Sequence, residues 1–427
     1  MINLEGLNLG KYYNTPLNDS LSNLKKLTHL KLGVNFNKKL DNSLNGLVNL
    51  TCLYLPYEYN HPLGHSLYSL TCLTHLDLGY KYDHPLDDSL NMNQNLTHLV
   101  LSGKFNQDLG TSLNSLFKLK RLDLGYDFDK PLNDSLSNLI NLEELIFSRG
   151  FNQVLDHSLD SLSKLSKLVL GTKFNKYLGH SLFNLENLQE LALGYCYNFP
   201  LNDTLSKSKN LTNLIMSNQF NQYFGNDDLS QLTNLKMLSF RYNNIYNMPF
   251  GNAFLNLISL THLVLPEQFD LPLSDDLNCL VNLTSLAFGY AFNALLGKSL
   301  SKLTNLKELI LGEHYNRPLK PSLNTLVNLE VLKLGNHFNK PLGNSLNGLS
   351  KLKSLSFGWY YNKPLEHSLD SLQELTHLYL DMSFKQPLND SLDKLHNLQI
   401  LNIPKEYPRD IPNGNFVVKY KIRVPND

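Results

Sequence analysis

The chain has 427 residues, with 38 Lys+Arg against 38 Asp+Glu and therefore no net charge. Neutralising a phosphate backbone needs a basic stripe, and none stands out, so no nucleic-acid partner is expected. No apolar run approaches the roughly 18 residues of a membrane span, and the start Met1-Ile2-Asn3-Leu4-Glu5 has neither part of a signal peptide. The four cysteines (Cys52, Cys72, Cys196, Cys279) form no paired framework. The expectation is an intracellular protein with no membrane partner.

The chain is in register from its first residues. Leu4, Leu7, Leu9 and Gly10 occupy positions that recur throughout, so the array begins mid-repeat with no N-terminal cap. An aromatic residue then returns every 23 positions, from Tyr13, Phe36, Tyr59 and Tyr82 to Tyr197 and Phe220, and again from Tyr246 and Phe269 to Phe384 and Tyr407. The one exception is the 26-residue step from Phe220 to Tyr246. Such a period means one supersecondary unit per repeat, stacked into a solenoid. It predicts about 18 coils of 23 residues over residues 1–407, irregular at 220–246.

Within a repeat, two apolar positions separated by one residue have strand alternation. The first is Leu from Leu30, Leu53 and Leu76 through to Leu401; the second also takes Phe147, Met216, Phe288 and Phe357. Ahead of the strand runs Ser-Leu-x-x-Leu-x-x-Leu, as in Ser20-Leu21, Leu24 and Leu27. A strict spacing of three predicts a 3₁₀ or short helical turn rather than a long α-helix. The preceding Asn18-Asp19-Ser20 and Asn133-Asp134-Ser135 read as N-caps, as do Asp87-Asp88 and Asp275-Asp276. Pro16, Pro62, Pro85, Pro131 and Pro341 turn the chain out of the strand and donate no ladder hydrogen bond. One coil leaves its Leu face bare; only stacking buries it.

Three places break the pattern. The 26-residue step carries one extra residue between Phe224 and Leu229 and two in Arg241-Tyr242-Asn243-Asn244-Ile245, read as a tolerated insertion or as a kink or protruding loop that touches a partner. Asn93 and Ser208 stand where Leu is expected and predict local loosening of the turn side. After Tyr407, Pro408, Pro412 and Asn413-Gly414 end the repeat. Phe416, Val418, Tyr420, Ile422 and Val424 then alternate with Lys419, Lys421 and Arg423, which predicts a half-buried strand in a β cap over 408–427. Without a matching N-terminal cap, the first coil frays or meets another chain.

Leu-x-x-Leu-x-Leu units of this length carry the leucine-rich-repeat signature. The added Tyr59-Asn60-His61-Pro62-Leu63, Tyr315-Asn316-Arg317-Pro318-Leu319 and Phe338-Asn339-Lys340-Pro341-Leu342 sharpen it. They resemble the FNIP-type leucine-rich repeats abundant in social amoebae and in giant viruses of the mimivirus kind. The resemblance covers residues 1–407. It implies an α/β fold: a leucine-rich-repeat solenoid (horseshoe) with a parallel β ladder on one side and short 3₁₀ or helical turns on the other. It also implies a viral or amoebal setting and a protein partner, possibly of the host. Many relatives carry an F-box before the repeats; here the strand register already occupies that place.

Two surface columns invite a chemical reading. His29, Cys52, His75 and His98 precede the invariant Leu on consecutive rungs, but a line of side chains about 4.8 Å apart makes a poor tetrahedron. Thr-His-Leu also recurs at His262 and His377, and His-Ser-Leu at His65, His157, His180 and His367, so repeat duplication is preferred and no metal is expected. The second column, just after the Gly position, holds Tyr57, Tyr80, Tyr126, Tyr195, Tyr290 and Trp359. These rings either cover the rim of the strand layer or form a contact stripe, Tyr and Trp being frequent interface anchors; with His75 and His98 they are the candidate partner-binding residues. No nucleophile elbow, phosphate loop or His-Glu-x-x-His occurs, so neither enzyme activity nor a cofactor is expected. The predicted function is a protein–protein interaction scaffold or adaptor. The alternatives are self-assembly through the N-terminal coil and substrate delivery to a ubiquitin ligase with a separate F-box protein.

Overall fold

The computed structural model describes residues 3–225, 228–273, 275–319 and 322–421. They fall into two compact units, Met1–Leu211 and Thr212–Asp427. Unit 1 holds nine strands: β1 (Gly6–Asn8), β2 (His29–Lys31), β3 (Cys52–Tyr54), β4 (His75–Asp77), β5 (His98–Val100), β6 (Arg121–Asp123), β7 (Glu144–Ile146), β8 (Lys167–Val169) and β9 (Glu190–Ala192). Each pairs in parallel with the next, and the invariant leucines face one another from Leu7 and Leu30 to Leu168 and Leu191. Unit 2 holds β10 (Asn213–Ile215), β11 (Met237–Ser239), β12 (His262–Val264), β13 (Ser285–Ala287), β14 (Glu308–Ile310), β15 (Val331–Lys333), β16 (Ser354–Ser356), β17 (His377–Tyr379), β18 (Ile400–Pro404) and β19 (Val417–Lys421). It too is a parallel ladder, with β19 pairing parallel to β18. Both units are β-solenoids in which one repeat makes one rung.

The core of each unit is a set of columns. Leu53, Leu76 and Leu99 are fully buried, as are the rings of Tyr59, Tyr82, Phe105 and Phe128. Successive rings lie nearly parallel at 6.2, 6.3 and 6.1 Å between centroids, an offset packing that suits the ring quadrupole. In unit 2 Phe269, Phe292, Tyr315 and Phe338 repeat it at 6.3, 6.0 and 6.4 Å. Each such side chain contributes about 1.5–3 kcal/mol by leaving water, which only the neighbouring rungs make possible.

The turn side corrects the expected helix. Among the described residues there is no α-helix and no 3₁₀-helix. The amides of Leu24 and Leu27 donate to the carbonyls of Leu21 and Leu24, both at 2.9 Å, preceded by Ser22 to Asp19 (3.1 Å) and Ser20 to Leu17 (3.0 Å). A 3₁₀-helix would bond every successive amide. Here the bonds come every second or third residue, so the segment is a chain of β-turns hinged on its leucines.

The expected N-caps are corrected too. Asn18, Asp41, Asp87, Asn133, Asp156 and Asn202 have φ between 36° and 45°, and Gly64, Gly110 and Gly179 take the same place with φ of 47° to 49°. Asn, Asp and Gly recur there because they tolerate a left-handed backbone; no helix follows for them to cap.

The Asn of the repeat forms a ladder of its own. Its Oδ1 accepts the backbone N–H of the equivalent residue one rung on: Asn37 from Asn60 (3.0 Å), Asn60 from Asp83 (3.0 Å), Asp83 from Asn106 (2.9 Å) and Asn106 from Asp129 (2.9 Å). Unit 2 does the same from Asn293 to Asn316 and Asn339. The varied residue after it reaches back one rung: His61 and His84 ring nitrogens lie 3.2 Å from the Asn37 and Asn60 carbonyls, and Arg317 donates to Asn293 O at 2.9 Å.

Asn93 is not a loosening. It is fully buried, and its Nδ2 donates to the Leu67 and Leu70 carbonyls at 3.1 and 3.0 Å. Ser208 keeps the turn chain through its backbone alone, its amide on Leu205 O and its carbonyl accepting from Leu211 N, both 3.0 Å, while its buried hydroxyl has no hydrogen-bond partner among the described residues. In the insertion, Asn243 is buried with all its capacity used: Nδ2 donates to Ser217 O and Phe220 O, and Oδ1 accepts from Ile245 N and Tyr246 N. The enlarged rung is filled by Phe240, Phe250 and Phe254 around Phe224.

At the C-terminal end Phe416 and Val418 are half-buried, but Tyr420 is 56% exposed, against the expected alternation. No described rung stacks beyond β19 to cover it. Ile422, Arg423 and Val424 lie outside the described residues.

Candidate interaction surface

On each rung the residues flanking the invariant Leu point outward from the ladder. In unit 1 one outward column reads His29, Cys52, His75, His98, Arg121, Glu144, Lys167 and Glu190, and the other Lys31, Tyr54, Asp77, Val100, Asp123, Ile146, Val169 and Ala192. The charged end is internally paired: Arg121 bonds Glu144, while Lys167 lies 3.5 Å from Glu144 and 3.4 Å from Glu190.

The His75 and His98 rings stack at 4.2 Å and 10°. Each is oriented by the Thr before it. Thr74 and Thr97 donate their hydroxyl protons to the carbonyl one rung back at 3.0 Å, and their Oγ1 lies 2.9 Å from the ring Nδ1. With that proton spent, Nδ1–H is the donor and Nε2 is left as the acceptor. Burial pushes the His98 pKa down, helped by its neighbours His75 and Arg121. The same Thr–His bond recurs at His29, His262 and His377, which accounts for the tripeptide structurally. Among the described residues no group of three or more His, Cys, Asp or Glu side chains is placed to hold a metal ion.

The aromatic column is only partly continuous. Tyr57, Tyr126, Tyr195, Tyr290 and Trp359 are each 40–48% exposed. Tyr57 and Tyr80 stack at 4.5 Å and 7°, whereas the next rung has Gly103 in this column. Tyr126 is covered by the Arg149 guanidinium, 5.3 Å from its centroid, which also bonds its hydroxyl. In unit 2 Tyr290 joins a run absent from the sequence reading: Tyr290–His314 at 4.5 Å, His314–His337 at 4.8 Å and His337–Tyr360 at 5.0 Å. The signal was there, since His314, His337 and Tyr360 are spaced by the repeat, but one position further along than the column followed. Trp359 accepts the Ser383 N–H on its carbonyl and leaves its ring at the surface.

The sequence reading also missed Asp77 and Asp123. Both are half-buried on the strand face, and each Oδ1 accepts the N–H of the Gly two residues on, at 2.8 and 3.0 Å. Burial raises both carboxyls above the usual range, opposed by those Gly bonds.

No family model matches the chain, and no curated protein matches it. Solved structures do. The viral protein CroV588, described as a circular leucine-rich-repeat structure, aligns over 98% of this chain and 69% of its own length, at 22% identity and a TM-score of 0.70. A leucine-rich-repeat protein of Leptospira interrogans covers 98% of this chain and 92% of its own, at 19% identity and 0.56. Drosophila Toll, solved in complex with Spätzle, covers 84% of this chain and 44% of its own, at 17% and 0.56. At these identities the likeness establishes the leucine-rich-repeat solenoid fold. No described helix is long and apolar enough to cross a membrane.

Proposed function

We propose that the chain is a protein–protein interaction scaffold or adaptor whose strand-side surface docks a protein partner. The observation that carries this is the contrast between the two sides of the ladder. Inward positions repeat the same Leu and aromatic residue on rung after rung, while outward positions vary along the ladder and leave a stacked Tyr57–Tyr80 pair at the rim. Exposed aromatic anchors beside varied polar groups suit recognition of one surface by another. That Toll is solved with a protein bound supports such use of the fold. The FNIP-like repeats support a partner in an amoebal cell, with delivery to a ubiquitin ligase through a separate F-box protein as one form of adaptor.

The test is affinity capture from amoebal lysate by the intact chain beside a Tyr57→Ala, Tyr80→Ala, Tyr126→Ala variant. A partner lost in the variant supports the reading and places the surface; identical capture by both removes the aromatic column from it. A second reading, association of copies through β1, is favoured by Leu4, Leu7 and Leu9, which are half-exposed where Leu27, Leu30 and Leu32 are buried. A monomer in solution whose mass is indifferent to Leu7→Lys would sink it.

A further inference from the structure

Two rungs of unit 1 carry the same tetrapeptide, Asp77-Leu78-Gly79-Tyr80 and Asp123-Leu124-Gly125-Tyr126, with one rung between them. Gly79 and Gly125 have φ of +73° and +78°, unlike the other described glycines at this repeat position, because each turns to meet its Asp. At the equivalent positions the intervening rung has Val100 and Gly103, neither carboxylate nor ring. Val100 faces outward between the two acids in the ladder, and position 103 is a buried Gly with the Tyr80 ring lying across it. A Cβ at Gly103 would stand 2.3 Å from that ring, so any other residue would displace it. The Ser102 hydroxyl holds the Tyr80 carbonyl, and Tyr57 backs the ring.

The result is a slot one rung wide. Its floor is Val100, its walls are carboxylates roughly 10 Å apart along the ladder, and the Tyr80 and Tyr126 rings stand at its rim. Among the described residues neither carboxylate has a cation within ion-pair distance, and Arg121, the cation beside Asp123 on this face, is committed to Glu144. The fields of Lys31 and Arg121 reach Asp77 and Asp123, yet burial keeps both carboxyls raised. Two desolvated acids without a counter-charge favour whatever brings one.

We propose that this slot receives a lysine or arginine side chain from a basic segment of the partner protein, its stem on Val100 and its cationic head between Asp77 and Asp123. The inference rests on the interaction reading and names the chemistry of the partner. A flexible cation on an apolar stem fits an apolar floor between anionic walls, whereas the tyrosine rings only border the slot, Tyr126 being covered by Arg149 and Tyr80 lying beneath Lys104. An acidic segment would meet uncompensated repulsion.

The experiment is fluorescence anisotropy at low ionic strength with the full chain and two labelled Gly/Ser peptides, one bearing two arginines and the other two glutamates. The arginine peptide binds, the glutamate peptide does not, and added salt weakens the complex. Asp77→Asn/Asp123→Asn, which keeps the oxygens that accept from Gly79 and Gly125, lowers affinity about ten-fold or more. Asp19→Asn/Asp134→Asn, which removes equal charge from the turn side, leaves affinity within about two-fold. No binding of the arginine peptide, equal binding by the Asp77/Asp123 variant, or equal loss in the turn-side control overturns the inference. A cellular partner retained by that variant but lost in the triple Tyr variant would overturn the basic segment and leave the scaffold reading standing.

Discussion

Replacing Asn339 by Ala tests whether the repeat's Asn is kept for its cross-rung bond. Asn339 Oδ1 accepts the Asn362 N–H at 3.0 Å, and its own N–H donates to Asn316 Oδ1 at 3.0 Å. The variant keeps the second bond and orphans the Asn362 amide. A fully buried donor left unpaired costs about 1–3 kcal/mol, and this one is part-exposed, so about 1 kcal/mol is expected. Because a rung contacts only its neighbours, the cost should appear as local opening rather than as a lower global midpoint. Hydrogen exchange at Asn362 should quicken about five-fold, with the rungs near Phe269 unchanged. Asn339→Asp should exchange like wild type, because Asp83, Asp129 and Asp270 already serve this place and accept from Asn106, Asn152 and Asn293. Unchanged exchange in the Ala variant, or an Asp variant as fast as Ala, would refute the ladder argument.

Phe128→Ala should cost about 3–5 kcal/mol by opening a cavity between Phe105 and Phe151, read as lost exchange protection across those three rungs. Gly194→Ala places a Cβ 1.8 Å from the Gly171 carbonyl and should destabilise strongly in denaturant titration, whereas Gly10→Ala meets nothing within 4 Å and should be silent. Gly343→Ala should cost about 1–2 kcal/mol, since φ is +49° there, and Gly343→Asn should cost less. Asp77→Asn/Asp123→Asn should be at least as stable as wild type at pH 7. Folding raises both carboxyl pKa values, so the wild type loses stability as pH rises from the unfolded value of 3.8 through the folded ones, and the Asn variant does not. The gap in denaturation midpoint should therefore narrow as pH falls towards 4; a variant less stable at pH 7 would count against the burial argument. For His98, whose folded pKa is lowered, the sign reverses in position: stability is lost as pH falls below its unfolded value of 6.5, and His98→Gln should flatten that part of the curve.

The period, the inward leucines, the aromatic column and the parallel pairing were all legible in the sequence, because each rung repeats the same inside positions against the same neighbours. Leu30, Leu53 and Leu76 needed no coordinates to be placed in one column. The turn was misread for a definite reason. Leu21, Leu24 and Leu27 are spaced identically in a 3₁₀-helix and in chained β-turns, and the two differ only in which amides between them are bonded. Asn18 and Asn133 were misassigned because a helix N-cap and a left-handed turn favour the same small polar side chains. Asn93 looked like a lapse in the core because the carbonyls it binds, those of Leu67 and Leu70, lie on the preceding rung, outside any local window.

The candidate surface divides the same way. The tyrosine column could be written down from spacing, but that Tyr80 lies across Gly103, that Arg149 covers Tyr126 and that His314 and His337 continue from Tyr290 depended on side-chain directions between rungs. Asp77 and Asp123 passed as ordinary outward residues until their burial and their bonds to Gly79 and Gly125 set them apart. What a repeat does to itself is written in its period; what one rung does to the next is a contact across 23 residues, and only stacking brings those atoms together.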